Sequence, residues 1–306
     1  MMAGQIVEIS SDNKHLCVDR GFLSIREDTQ ELAKIPFDMI EAVIANAHGI
    51  TYSNNLLVRL AENKIPFVVC GNNHNPVAFL LPLDGNYRQG AVMDSQVAAS
   101  LPLNKNLWKD VVKQKIMMQA ALLDLYGKNA LRLLNMAKNV RSGDVDNLEG
   151  QAARIYWTEL FGEDFKRDRN QDGINALLNY GYTILRSATL RYIVAAGLHP
   201  TLGIHHQNYL NDARLADDLM EPFRPFVDAL VYKIAQKEDK ELSVETKQLL
   251  VSVLSRNVPT KAGFTEIAFT LQSLCISLAK VYLGERKELD FTLIPKGIEW
   301  ETFFNV

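Results

Sequence analysis

The sequence predicts an α+β fold: an N-terminal β-sandwich-like domain followed by a larger all-α catalytic domain. Three observations carry this. Residues 1–84 hold short apolar or alternating runs parted by polar turns. Pro82, Gly85, Gly90 and Pro102 then punctuate a stretch of scattered polar residues. Beyond it the apolar positions recur at helical spacing. The expected division is 1–84 as a β-rich domain for dimerisation or orientation, 85–101 as a linker, and 102–306 as the helical domain.

In order, strands are expected at Gln5–Ser10, His15–Asp19, Phe22–Arg26, Leu32–Pro36 and Ala42–Asn46, with turns at Asp12-Asn13 and Arg20-Gly21. A helix over Asn54–Asn63 places Leu56, Leu57 and Leu60 on one side, and strands follow at Pro66–Cys70 and Val77–Leu81. After the linker, Leu107–Leu125 and Lys128–Val140 have helical apolar spacing. The strongest helix opens at Asp172-Gly173 and stops at Gly197, with Ile174, Leu177, Leu178, Gly181, Leu185, Ala188 and Tyr192 on one side. Its other side shows Asn175, Asn179, Tyr182 and Arg186, either a solvent-facing stripe or the wall of a polar cleft. Helices continue to about Gln236, then at Ser243–Leu254 and Thr265–Leu283 after the charged patch Lys237–Glu241. The aromatic end, Leu289–Val306, is expected to pack on its own domain.

The 306 residues suffice for two cores, and 47% hydrophobic with 23% charged residues is ordinary soluble composition. Cys17, Cys70 and Cys275 lack metal-like spacing and read as buried free thiols. With no signal peptide and no apolar run of about twenty residues, a cytoplasmic location is expected. The net charge of −3 speaks against nucleic-acid binding, yet residues 101–141 carry eight lysines and arginines against two aspartates. Lys105, Lys109 and Lys113 recur every four residues, a ridge that is either a solvated face or a phosphate track. Phosphate-cradling glycine loops, dinucleotide fingerprints and nucleophile elbows are absent, which argues against an ATPase, a dinucleotide enzyme or a serine hydrolase.

Two stretches can supply an imidazole and several carboxylates to one place. A helix through residues 213–221 sets Asp218 and Glu221 three apart on one face, and the same face continues to Arg224 and Asp228. Pro222 and Pro225 predict a bend just after Glu221. Glu149 falls on a stripe with Ala152, Ala153, Tyr156 and Leu160, where a lone carboxylate costs several kcal/mol unless paired, protonated or metal-bound. A pair with Arg154 or Arg186 is the structural alternative. Either His205 or His206, some fifteen residues ahead of Glu221, is a plausible partner for it. Mixed histidine and carboxylate ligands suit Mg²⁺ or Mn²⁺, the usual cations of phosphodiester chemistry.

Asn147-Leu148-Glu149-Gly150, Asp172 with Asn175 and Asn179-Tyr180-Gly181-Tyr182, Gly203-Ile204-His205-His206, and Asp218-Leu219-Met220-Glu221-Pro222-Phe223-Arg224-Pro225 occur in series. The chain resembles, over nearly its whole length, the CRISPR-associated integrase, the larger of the two adaptation proteins, in versions that accompany a single-effector DNA-targeting system. The resemblance implies metal ligation by Glu149, His206 and Glu221, with Asp218, Asn179 and Tyr182 in support; the histidine three residues after the glycine is His206. It implies transesterification, in which the 3′-hydroxyl of a short DNA duplex attacks a phosphodiester at the edge of the CRISPR repeat, with endonuclease activity as a further outcome. Lys105, Lys109 and Lys113, with Arg186, Arg191 and Arg224, would track phosphates. The implied partners are leader–repeat DNA, a small dimeric second adaptation protein, and a second copy of this chain, with two homodimers per complex. A hydrolytic nuclease would use the same ligands with water as nucleophile, whereas a DNA-binding adaptor would not need Glu149.

Overall fold

Arg20 and Gly21 adopt positive φ, 49° and 86°, so the two-residue loop they form matches the twist of an antiparallel hairpin. That hairpin lies at the heart of one of two N-terminal sheets. The computed structural model describes residues 5–71, 76–80, 82–83, 88–168, 170–237 and 241–305; Gly85 of the expected linker and residues 238–240 of the expected charged patch lie outside them.

The N-terminal strands are β1 (Gln5–Ile9), β2 (Lys14–Asp19), β3 (Phe22–Glu27), β4 (Gln30–Pro36), β5 (Ile40–Ala45), β6 (Thr51–Tyr52), β7 (Phe67–Cys70) and β8 (Pro76–Leu80), with helix α1 (Asn54–Glu62) between β6 and β7. One sheet has the order β1-β5-β7-β8, parallel except for β7–β8. The other has the order β4-β3-β2-β6, antiparallel except for β2–β6. Val7, Val43 and Phe67 of the first, Leu16 and Leu23 of the second, and Leu56 and Leu60 of α1 share one core. Ile44 and Val68 turn the other way and join the helical core. Strand β5 is therefore covered on both faces, which is why Ala42-Val43-Ile44-Ala45 is unbroken apolar sequence rather than an alternation.

Two expectations need correction. The stretch read as a linker contains helix α2 (Gln89–Val97), which is docked rather than free: Val92 and Gln96 are buried. Gln96 Nε2 donates to the carbonyls of His199 and Leu202 at 3.1 and 2.8 Å. Its hydrogen bonds hold the loop that leads to the tandem histidines.

The remainder is helical with one exception. It comprises α3 (Leu101–Leu125), α4 (Leu131–Asn139), α5 (Leu148–Phe161), α6 (Ile174–Ala195), α7 (Arg214–Met220), α8 (Arg224–Ala235) and α9 (Val244–Val251), followed after a hairpin by α10 (Ile267–Tyr282) and α11 (Ile298–Phe304). The exception, and the second correction, is the hairpin of β9 (Asn257–Thr260) and β10 (Gly263–Glu266). Helices α3 and α6 run through the core, α3 against α4, α5 and α8, α6 against α7 to α10. Gly181 permits the closest approach, since a Cβ there would stand 2.4 Å from Val227 Cγ1 of α8. The bend expected at Pro222 is a 3₁₀ turn, Glu221–Phe223, between α7 and α8.

The two parts are fastened to each other. Tyr180 of α6 donates its hydroxyl to Glu8 of β1, Asn46 Nδ2 reaches the same carboxylate at 2.6 Å, and Lys247 lies 3.5 Å from it. Arg191 donates to the Ile40 carbonyl at 3.0 Å. Cys17, Cys70 and Cys275 are free thiols. No helix among the described residues is long and apolar enough to cross a membrane.

Candidate active site

Asn147 sits in the left-handed region at φ 51° and accepts from Gly150 N through its side chain at 3.2 Å. A Cβ on Gly150 would come within 2.7 Å of that side-chain oxygen, so a larger residue there would make the cap shift. Asp144 accepts from Leu148 N and Glu149 N at 2.9 and 3.0 Å. These caps satisfy the first amides of α5 and fix Glu149 in its opening turn, where the helix dipole favours an anion.

A second carboxylate orders the histidine loop. Asp218, fully buried on α7, accepts from Ile204 N at 2.6 Å and His205 N at 3.0 Å. Its Oδ1 lies 2.5 Å from His206 Nδ1. Gly203 leaves the room, because a Cβ there would meet His206 O at 2.8 Å and Asp218 Oδ2 at 2.9 Å. The hydrogen bond to Asp218 raises the His206 pKa against the opposing effect of burial. With Nδ1 engaged by a carboxylate, Nε2 is the nitrogen left for a ligand. His205 takes another path: its ring stacks on Trp108, centroids 4.4 Å apart and planes 2° apart, and burial lowers its pKa.

Glu149, His206 and Glu221 line one cleft of about 320 Å³, together with Lys115, Arg167, Tyr182, Arg224 and Asp228. Between the two glutamates stands an ammonium. Lys115 of α3 contacts Glu149 Oε1 and lies 2.6 Å from Glu221 Oε2. Glu149 is thus paired with Lys115, not with Arg154 or Arg186. Arg224 Nε stands 3.0 Å from Glu221 Oε1. Burial pushes the Glu221 carboxyl up, but Arg224 and Lys115 outweigh it and hold it at about 2. Lys115, which burial would neutralise, is kept charged by Glu221 and Glu149.

Among the described residues, no three His, Cys, Asp or Glu side chains converge as a ready-made metal cage; the cation between the carboxylates is Lys115. The donor set nevertheless fits a hard divalent ion. Buried Glu221 Oε2 has no hydrogen-bond partner, despite its ion contact. Two carboxylates already gather around one positive charge, with an imidazole on the same wall.

The remaining sequence-derived residues divide. Asn179 and Tyr182 face polar space, in an adjoining cavity of about 380 Å³ also lined by Arg167, Arg186, Asn211 and Arg224. Arg167 bridges Asn175 and Asn179 at 2.9 and 2.6 Å. Tyr182 donates to Asp228 Oδ1 at 2.5 Å, and Tyr156 to Oδ2 at 2.7 Å. Lys105 and Lys113 are exposed and Lys109 partly so, a ridge open to solvent. Two of the expected phosphate contacts are otherwise engaged. Arg186 forms a bidentate pair with Asp217 at 2.8 and 3.0 Å, and Arg191 is a tie between the two parts of the molecule. Arg224 packs over the Tyr182 ring at 4.5 Å. Lys115 and Arg167 are the residues that sequence reading passed over.

Fold and site together define an α+β protein with a polar cleft in which two carboxylates, an imidazole and fixed cations meet, the equipment of phosphodiester chemistry. The chain belongs to the family of the CRISPR associated protein Cas1, whose model matches residues 7–249. It is 38% identical over 224 residues to the CRISPR-associated endonuclease Cas1 of Neisseria meningitidis serogroup C (strain 8013), covering 72% of this chain and 73% of that one. Its fold is similar to a casposase bound to integration product, with a TM-score of 0.81 at 21% identity over 98% of this chain and 99% of that one. It is also similar to a chain of a Cas6-RT-Cas1–Cas2 complex, with a TM-score of 0.77 at 20% identity over 97% of this chain and 37% of that one.

Proposed function

We propose that this protein is the integrase of CRISPR adaptation. The observation that carries the reading is the pairing of Glu149 and Glu221 around a single cation, with His206 on the same wall and oriented by Asp218. Glu149, His206 and Glu221 would hold Mg²⁺ or Mn²⁺, which when bound supplies Lewis-acid stabilisation of charge on the phosphoryl oxygens. The 3′-hydroxyl of a short duplex attacks a phosphodiester at the repeat edge; one phosphodiester forms, one breaks, and a 3′-hydroxyl leaves. No ATP is needed. Asp218 holds His206 in the tautomer that offers Nε2, Arg224 places fixed positive charge beside the reacting phosphate, and the Lys105–Lys109–Lys113 ridge receives backbone phosphates without regard to sequence.

Attack on two strands calls for two centres. A homodimer formed through the N-terminal domain, where Met39, Val58 of α1 and Val77 of β8 are exposed, would supply them. Two such dimers would assemble on a small second adaptation protein, a reading supported by the Cas1–Cas2 complex among the similar structures. The name endonuclease carried by the Neisseria relative favours a second reading, hydrolysis with water as nucleophile. Strand transfer of a duplex with free 3′-hydroxyls into a plasmid bearing a leader and repeat, with the partner and Mn²⁺, separates the two. Joined product that His206→Ala abolishes supports integration; cleavage without joining selects hydrolysis.

A further inference from the structure

We propose that Lys115 is the resident counter-ion of this site, and that its ammonium gives way to the divalent cation as a DNA phosphate arrives, so that metal and DNA load together. The inference rests on the function proposed above and adds to it a residue that couples the two ligands.

Lys115 projects from the buried face of α3, among Trp108, Val111 and Ile116, and its side chain is 9% exposed. A lysine in such a position needs compensation, and it finds two partners at once, Glu149 and Glu221. These are two of the three residues proposed to hold the metal. The same oxygens cannot close around both an ammonium and a hard cation, because the two need the same gap between the carboxylates. Charge leads to the same conclusion. Glu149 and Glu221 are balanced by Lys115 and Arg224, and Asp228 and Arg167, on the same cleft, offset each other, so a divalent ion entering alone meets resident cations and no surplus of negative charge.

A phosphodiester changes both terms. It brings a negative charge into the cleft, and it gives the ammonium somewhere to go. Lys115 lines that cleft, and its flexible stem lets the ammonium turn from the carboxylates to a phosphate oxygen while α3 stays in place. Arg224 has less freedom, because its guanidinium is held between the Tyr182 ring and Glu221.

The test is a titration of Mn²⁺, followed by electron paramagnetic resonance of the free ion, on wild type and Lys115→Met. Each is measured with and without a short duplex and corrected for Mn²⁺ held by the duplex itself. The wild type should bind Mn²⁺ weakly alone and on the order of tenfold or more tightly with duplex. Lys115→Met should bind tightly without duplex and gain little from it. Because the variant leaves buried Glu221 and half-buried Glu149 without the ammonium between them, a measurement on the wild type guards against its misfolding. Acetylation of the Lys115 amine, read by mass spectrometry, should be slow in the metal-free protein and faster in excess Mn²⁺. Equal wild-type affinity with and without duplex, with Lys115 protected throughout, would overturn the proposal and leave Lys115 a structural ion pair. Weaker Mn²⁺ binding by a folded Lys115→Met would also overturn it. Failure of both proteins to bind Mn²⁺ even with duplex is a distinct result, since it removes the metal reading itself.

Discussion

Glu221 and Asp228 are buried carboxylates seven residues apart on the same bent segment, and they line the same cleft. Their neighbours make them opposites. Glu221 faces Lys115 and Arg224, which hold it at about 2 against the effect of burial. Asp228 faces the hydroxyls of Tyr156 and Tyr182; burial raises it to about 6, although those two hydrogen bonds favour its charged form. Equal burial therefore gives unequal chemistry. Glu221 keeps a charge that a cation can use. Asp228, on α8, clasps α5, the helix that carries Glu149, and α6 through those two hydroxyls.

The largest break in this contrast should come from exchanging charge for amide. Glu221→Gln should lower strand transfer by about a hundredfold or more, measured as joined product per unit time. Asp228→Asn should register first in stability, since one tyrosine hydroxyl then faces a donor, a loss of about 1–3 kcal/mol by chemical denaturation.

The pH dependence should separate the two next. Glu221 is lowered from 4.5, so the stability it contributes is present above pH 4.5 and lost as the pH falls towards 2. Asp228 is raised from 3.8, so the folded protein holds its proton longer than the unfolded chain, and stability falls as the pH rises from about 4 to 6. Denaturation profiles should show Glu221→Gln flattening the acid limb and Asp228→Asn flattening the fall between pH 4 and 6. The same slope in wild type and Asp228→Asn would contradict the assignment.

Smaller effects follow. Tyr156→Phe and Tyr182→Phe should each cost about 1 kcal/mol, the net worth of one hydrogen bond, and each should move the Asp228 transition to higher pH. Lys109→Ala, on the open ridge, should weaken duplex binding at low salt and reduce the slope of log affinity against log salt by about one, with stability unchanged within about 0.5 kcal/mol.

The contrast also shows what a sequence can disclose. Strands β1 to β5, β7 and β8, the helix closed by Gly197 and the bend at Pro222 were legible because each rests on local spacing and local backbone limits. Glu149 stood out as a charge on a face that should be apolar, and Asp218 and Glu221 as carboxylates three apart on one helix face. Lys115 carried the same signal. It falls seven residues after Trp108 and four after Val111, on the apolar side of α3 rather than along the Lys105–Lys113 ridge, yet a count of net charge absorbs it. Helix α2 was missed because Gly90 and a weakly amphipathic pattern resemble a linker. The β9–β10 hairpin was missed because its strands are four residues long and one contains Pro259. The Tyr156–Asp228–Tyr182 clasp joins residues 72 and 46 positions apart, a pairing that only the packed helices create.

The ties from Glu8 to Tyr180, and from Arg191 to the Ile40 carbonyl, join the N-terminal sheets to the same helix that lines the cleft. In a dimer formed through the N-terminal domain, each cleft would ride on its sheets as a jaw on a fixed handle. The interval between the two points of attack on DNA would then be a length written into the protein, a calliper setting that the repeat must match.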